Sequence, residues 1–139
     1  YLVFCKPKVK PLEVGTYGEL APRSKKDGMD IDHIPSQAAL RRAAQSVLGQ
    51  TLTKEQEREL INTAASIAIP QEVHRKCSET YGGRNQADKQ KVDAGDIKAA
   101  VNSNFDAIKE CLKSEGYSEK DLENARTHLH EINIKNGWY

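Results

Sequence analysis

The residues best equipped for chemistry cluster in "MDIDHIPSQA" (Met29–Ala38), where a carboxylate, Asp32, stands beside an imidazole, His33. On a strand, adjacent side chains point to opposite sides. One of the pair can therefore ligate an ion while the other faces a substrate in the same cleft. A carboxylate suits a hard ion such as Mg²⁺ or Mn²⁺, and an imidazole adds affinity for Zn²⁺ or Ni²⁺. A neutral histidine beside a phosphodiester can take a proton from water as general base. An ion would stabilise charge on the phosphate and on the leaving oxygen. Taken alone, such a dipeptide is more often a hydrogen-bonded pair that fixes a turn.

His74 changes the balance. It lies in "IPQEVHRKCSETYGGRN", on a short helix expected directly after an apolar, strand-like piece. A strand pair carrying Asp-His, followed in space by a helix that presents another histidine, is a ββα-metal arrangement, with His74 as second protein ligand opposite Asp32. Its bland alternative is a surface histidine on an amphipathic turn. Ser78 falls one helical turn later, on the same face. There it is placed to hydrogen-bond a phosphate, to ligate through water, or simply to cap. The loop "GGRN" adds flexible glycines, the Arg84 guanidinium, suited to bidentate phosphate contact, and the Asn85 amide. Tyr81 either stacks on a base or anchors that loop. His128 and His130, two apart on a helix, do not share a face and read as surface residues.

The elements that must hold these groups are legible from periodicity and caps. "YLVFCKPKV" (1–9) reads as a short strand or extended segment, "EVGTYGEL" (13–20) as a small hairpin, "RSKKDG" (23–28) as a charged turn, and 31–34 as a second strand. Ser36 is the expected N-cap of a helix over 37–48 that Gly49 ends. Thr53 with Gln56 forms a capping-box pattern for the next helix. "SIAIP" (66–70) is β-like, and 71–78 makes one or two helical turns. A long helix is expected from Asp93 to Ser114, with Ile97, Val101, Phe105, Ile108 and Leu112 on one stripe. A last helix follows Ser118, with Leu122, Ala125, Leu129 and Ile132 apolar, so the two form an antiparallel hairpin. The fold class expected is α+β, mostly helical, with a small β-hairpin, a ββα-metal core and a C-terminal helical hairpin. Residues 1–30 would form the N-terminal strands, 31–85 the core and 92–139 the hairpin, all within one domain of 1–139.

The 139 residues are 37% hydrophobic and 29% charged, enough for one modest core. Their 21 basic and 20 acidic side chains leave a formal charge of +1. Bulk electrostatics would therefore not hold a nucleic acid, and any such contact must come from a local patch or an ion. Lys6, Lys8, Lys10, Arg23, Lys25 and Lys26 make the N-terminal part basic, as a phosphate track or as a solvated face. Three widely spaced cysteines, Cys5, Cys77 and Cys111, argue for free thiols in a reducing environment. There is no apolar run long enough to span a membrane and no signal-peptide pattern. The chain opens at Tyr1 without a methionine, as a piece of a longer protein would.

Together, "VGTYGEL … GMDIDHIPSQAAL … IAIPQEVHRKCSETYGG" resembles the nuclease toxin domains of the HNH/endonuclease VII superfamily. These occur at the C-termini of bacterial polymorphic toxins, including Rhs and other contact-dependent or type VI secreted effectors. The resemblance spans about Val14 to Asn85. It implies a metal-dependent endonuclease with His33 as general base and Asp32 and His74 as metal ligands. DNA would be the substrate, RNA the alternative on the same site. A cognate immunity protein would be the partner, and the target cell's cytoplasm, reached by specialised secretion, the place of action. Asp32 stands where many members have histidine, which points to Mg²⁺ ahead of Zn²⁺, with Mn²⁺, Zn²⁺ and Ni²⁺ as the further candidates. A last metal-binding histidine of some relatives is absent here, with Ser78 or Glu79 in its neighbourhood. Of the asparagines that could orient the base, Asn62 lies between the two histidine motifs and Asn85 after them. Asn85 is the candidate retained. A non-enzymatic helical interaction module, in which Asp32 and His33 only fix a turn, is the competing class.

Overall fold

The computed structural model describes residues 7–24 and 28–139. Most of the expected first strand, with Cys5 and Lys6, lies outside these residues, as do Lys25 and Lys26 of the charged turn. Three strands form one antiparallel sheet: β1 (Val14–Thr16), β2 (Met29–His33) and β3 (Ala65–Pro70), in the order β1-β3-β2. The central strand β3, "ASIAIP", is almost continuously apolar, and Ala65 to Ile69 are all buried. That composition suits a strand covered on both faces. Ile67 and Ile69 enter the main core, while Ala68 on the opposite face packs with Val9 and Leu20. β2 is left at an edge, in a register that sets Asp32 opposite Ile67 and His33 opposite Ser66.

The expected hairpin at 13–20 is replaced by β1 and a single helical turn, α1 (Tyr17–Leu20). Thr16 caps that turn by accepting from the Glu19 amide, so the chain bends into helix where a return strand was expected. After β2 comes a turn with a cis Ile34–Pro35 bond, and Ser36 then caps α2 (Gln37–Leu48), accepting from the Ala39 amide. Gly49 closes α2 with φ of 72°, a conformation glycine adopts without strain. Thr53 and Gln56 make the reciprocal capping box of α3 (Lys54–Thr63), which runs straight into β3. α4 (Gln71–Cys77) follows β3 without a loop.

The single long helix expected from Asp93 is two helices, α5 (Ala87–Gly95) and α6 (Ile97–Ser114). Asp96 between them is extended, and its carboxylate accepts from the Ala99 amide as the N-cap of α6. α5 carries little apolar periodicity, and only Asp93 on it is buried. Sequence patterning therefore gave it no signal. α7 (Glu119–Lys135) follows the Ser118 cap. α6 and α7 are not an appendage. Val101, Phe105, Ile108, Leu112, Leu122 and Leu129 share one core with Ile34, Leu40, Ile67 and Ile69. Fully burying each such side chain is worth about 1.5–3 kcal/mol. Asn133 of α7, fully buried, donates to the carbonyl of Ile34 and so locks α7 to the end of β2. Trp138 and Tyr139 pack back onto this core.

Cys77 and Cys111 are joined by a disulfide between α4 and α6, which corrects the expectation of free thiols. They lie 34 residues apart and belong to an odd set, so no spacing signature announced the pair.

Candidate active site

Alternation along β2 sends Asp30 and Asp32 to one face and Ile31 and His33 to the other. Because β2 is an edge strand, groups from both faces reach one cleft along its free side. α4 leaves β3 and packs back on β2, which brings His74 over the two aspartates. His74 Nδ1 lies 2.7 Å from Asp30 Oδ2, and Nε2 lies 3.4 Å from Asp32 Oδ1. Burial would push the His74 pKa down, but the paired carboxylates of Asp32 and Asp30 outweigh it and hold it at about 8. This strand–strand–helix order, with Asp-His on the first strand and His on the helix, is the arrangement the sequence indicated.

His33 sits on the far side of the strand and is 9% exposed. Its ring stacks on Tyr17 with centroids 4.3 Å apart, and the Gln37 amide nitrogen lies 3.3 Å from Nε2. An amide N–H can only donate, so this contact favours a ring nitrogen with a free lone pair. Burial first, then the positive charges of Arg41 and His74, push the His33 pKa down to about 4. The ring is neutral at pH 7. Tyr17 reaches it because α1 lies close against α3: a Cβ on Gly18 would stand 3.1 Å from the Asn62 carbonyl oxygen. Asn62 thus belongs to that packing contact.

The cleft, about 370 Å³, is lined by Asp32, His33, Gln37, Arg41, His74, Tyr81 and Asn85 among others. A second cavity of about 410 Å³ shares Ile31 and His74 with it and continues past Asp30 and Tyr17. The Tyr81 and His74 rings meet in a T-shaped contact, with centroids 4.9 Å apart. Asn85 donates to Ser36 Oγ at 3.2 Å and so ties the Gly-Gly loop to the cap of α2; its buried Oδ1 has no protein partner among the described residues.

Two expected site residues are turned to other tasks. Arg84 donates to the carbonyls of Ser78 and Arg75, closing the C-terminus of α4, and lies over the Tyr81 ring. Ser78 does not share the His74 face, because α4 ends at Cys77 and the chain turns extended there. It is 2% exposed and bonded to Thr80. Glu79 likewise faces away, accepting from Lys89, Ser103 and Asn104. Arg23 is held by Glu13 and by the Pro7 carbonyl. Sequence reasoning missed Asp30, Tyr17, Gln37 and Arg41. Period-two spacing from Asp32 could have found Asp30, and the four-residue step from Gln37 to Arg41 on α2 could have found that pair.

Among the described residues no group of three or more His, Cys, Asp or Glu side chains has the geometry of an ion site. The two-donor centre still fits one. Two donors bound at about 2.1 Å stand roughly 3.0 Å apart at an octahedral right angle and roughly 3.4 Å apart at a tetrahedral one, and the 3.4 Å between Asp32 Oδ1 and His74 Nε2 lies within a few tenths of an ångström of either. The other His74 nitrogen is fixed by a carboxylate, as ligating imidazoles commonly are.

Against known proteins, the chain is 42% identical over 118 residues to deoxyribonuclease CdiA of Dickeya dadantii (strain 3937). The match covers 84% of this chain and 4% of that protein, so the chain spans a small part of its relative's length. No protein-family model and no solved structure matches.

Proposed function

We propose that this chain is the nuclease domain of a larger secreted toxin, a metal-dependent endonuclease of HNH type that hydrolyses DNA. The observation that carries the reading is one cleft holding a neutral, buried His33 beside the Asp32–His74 pair. The similarity to a protein named a deoxyribonuclease supports DNA as the substrate.

Asp32 and His74 would hold the ion, with Asp30 fixing the His74 ring. With so few protein donors, a hydrated Mg²⁺ that takes its remaining ligands from water and phosphate suits the centre best. Such an ion supplies charge stabilisation on the phosphate and the leaving oxygen. The chain's own groups do the rest. His33, held neutral by burial, takes the proton of the attacking water, and Tyr17 and Gln37 fix the plane of its ring. The approaching phosphate raises the basicity of His33 at the moment it is needed. Asn85 keeps the Gly-Gly loop against the cleft, and Tyr81 walls the His74 side. A cognate immunity protein would protect the producing cell by blocking this cleft or the path to it, and the target cell's cytoplasm would be the place of action. No helix among the described residues is long and apolar enough to cross a membrane.

The test is incubation of purified protein with supercoiled plasmid and with RNA, in Mg²⁺ and in chelator. Plasmid should be degraded only with the ion, and His33→Ala should abolish that while keeping the fold. Degradation of RNA alone would move the substrate. Intact DNA and RNA across Mg²⁺, Mn²⁺, Zn²⁺ and Ni²⁺ would end the nuclease reading.

A further inference from the structure

Arg84, its guanidinium spent on carbonyls, does not line the cleft, and among the described residues one arginine does. Arg41, one turn after Gln37 on α2, lines the same cleft as His33, Asp32 and His74. Its Nε donates to Glu57 Oε1 at 2.6 Å and its Nη2 to the side-chain oxygen Oε1 of Gln37 at 2.9 Å. Those two bonds fix the fork. Nη1 has no protein partner among the described residues, and the side chain keeps 34% of its surface open. The charge acts within the site, since it helps hold the His33 ring neutral. An arginine anchored through part of its fork, with the remainder open beside an acid–base residue, is poised for a phosphate oxygen.

We propose that Arg41, not Arg84, is the guanidinium that receives a backbone phosphate next to the bond being cut. The proposal rests on the nuclease reading and names the residue that seats the nucleic-acid backbone in that cleft. Gln37 then serves two neighbours, its amide nitrogen toward His33 and its oxygen toward Arg41, and so sets the phosphate in register with the base. Glu57 acts against binding. Its carboxylate lies on the same guanidinium, and its removal frees that charge for the phosphate.

The experiment measures cleavage kinetics on a short fluorescent DNA duplex in Mg²⁺, and binding of the same duplex in chelator across a salt series. It compares wild type, Arg41→Ala, Arg41→Lys, Glu57→Gln and Arg84→Ala, each with its melting temperature. Arg41→Ala should raise KM about 10-fold with kcat changed far less, and should lower the salt slope of binding by about one, the loss of a single phosphate contact. Arg41→Lys should recover the slope but only part of the KM, because a point charge lacks the fork. Glu57→Gln should bind a few-fold more tightly, a result that a merely structural ion pair would not give. Arg84→Ala should melt earlier and keep the wild-type slope. If wild type cleaves and Arg41→Ala keeps its KM and slope, the proposal is overturned and the nuclease reading stands. If wild type neither binds nor cleaves, both fall.

Discussion

His33 and His74 line one cleft, yet their surroundings drive them to opposite charge states, one neutral through burial and one cationic between two carboxylates. The pH dependence of the metal-free protein follows. The folded His74 pKa, about 8, lies above its ordinary 6.5. Its contribution is fully present below pH 6.5 and is lost as pH rises through 8. The folded His33 pKa, about 4, lies below 6.5. Its neutral ring favours the fold above pH 6.5, and that advantage, about 3 kcal/mol from the size of the shift, disappears as pH falls toward 4. In chelator, the melting temperature should therefore peak near pH 6.5–7 and fall on both sides. Added Mn²⁺ should remove the alkaline loss, since the ion takes the place of the proton. A flat profile between pH 4 and 9 would show that neither environment acts as described. Asp30→Asn should weaken Mn²⁺ binding about 10–100-fold in calorimetry while the fold survives, the usual cost of losing a carboxylate behind a ligating imidazole. Unchanged affinity would remove Asp30 from the centre. At this scale the Asp-His pair and His74 were readable because strand alternation and a helix after a strand are local facts. The stacking of Tyr17 on His33 was not, because it depends on how α1 packs against α3.

The elements that place these groups are short, and their ends matter more than their lengths. α2, α3 and α6 carried clear helical stripes with Ser, Thr or Asp caps, and α2 and α3 start where the caps indicate. α1 and α5 were invisible for a physical reason: neither has an apolar stripe, and each is held by partners brought in from elsewhere. The same reasoning identifies Gly18 as a packing requirement. Gly18→Ala would drive a methyl against the Asn62 carbonyl, pushing α1 off α3 and Tyr17 off His33. The variant should lose about 1–3 kcal/mol in urea unfolding, a typical overpacking penalty. It should also lose activity beyond what that instability explains. Wild-type stability and rate would show that the close approach is not needed.

Over the whole molecule, the α6–α7 pair that sequence patterning set apart as a hairpin supplies much of the shared core, and Cys77–Cys111 ties it to the helix carrying His74. The stripe of α6 was fully legible, but its packing against α4 and α5 was not, since periodicity reveals which face is buried and not against what. Opening the 34-residue loop by Cys77→Ser with Cys111→Ser should cost on the order of 4 kcal/mol, read as a lower urea midpoint that reductant no longer shifts. An unchanged midpoint would mean that packing alone holds α4 in place. The arrangement as a whole stands or falls on where an ion sits. Crystals soaked in Mn²⁺ and measured at its absorption edge should show one anomalous peak bounded by Asp32 and His74, with His33 facing the same cleft and not bound to it. A peak elsewhere in a protein that still cleaves DNA, or one ligated by His33 itself, would contradict the roles assigned to all three residues.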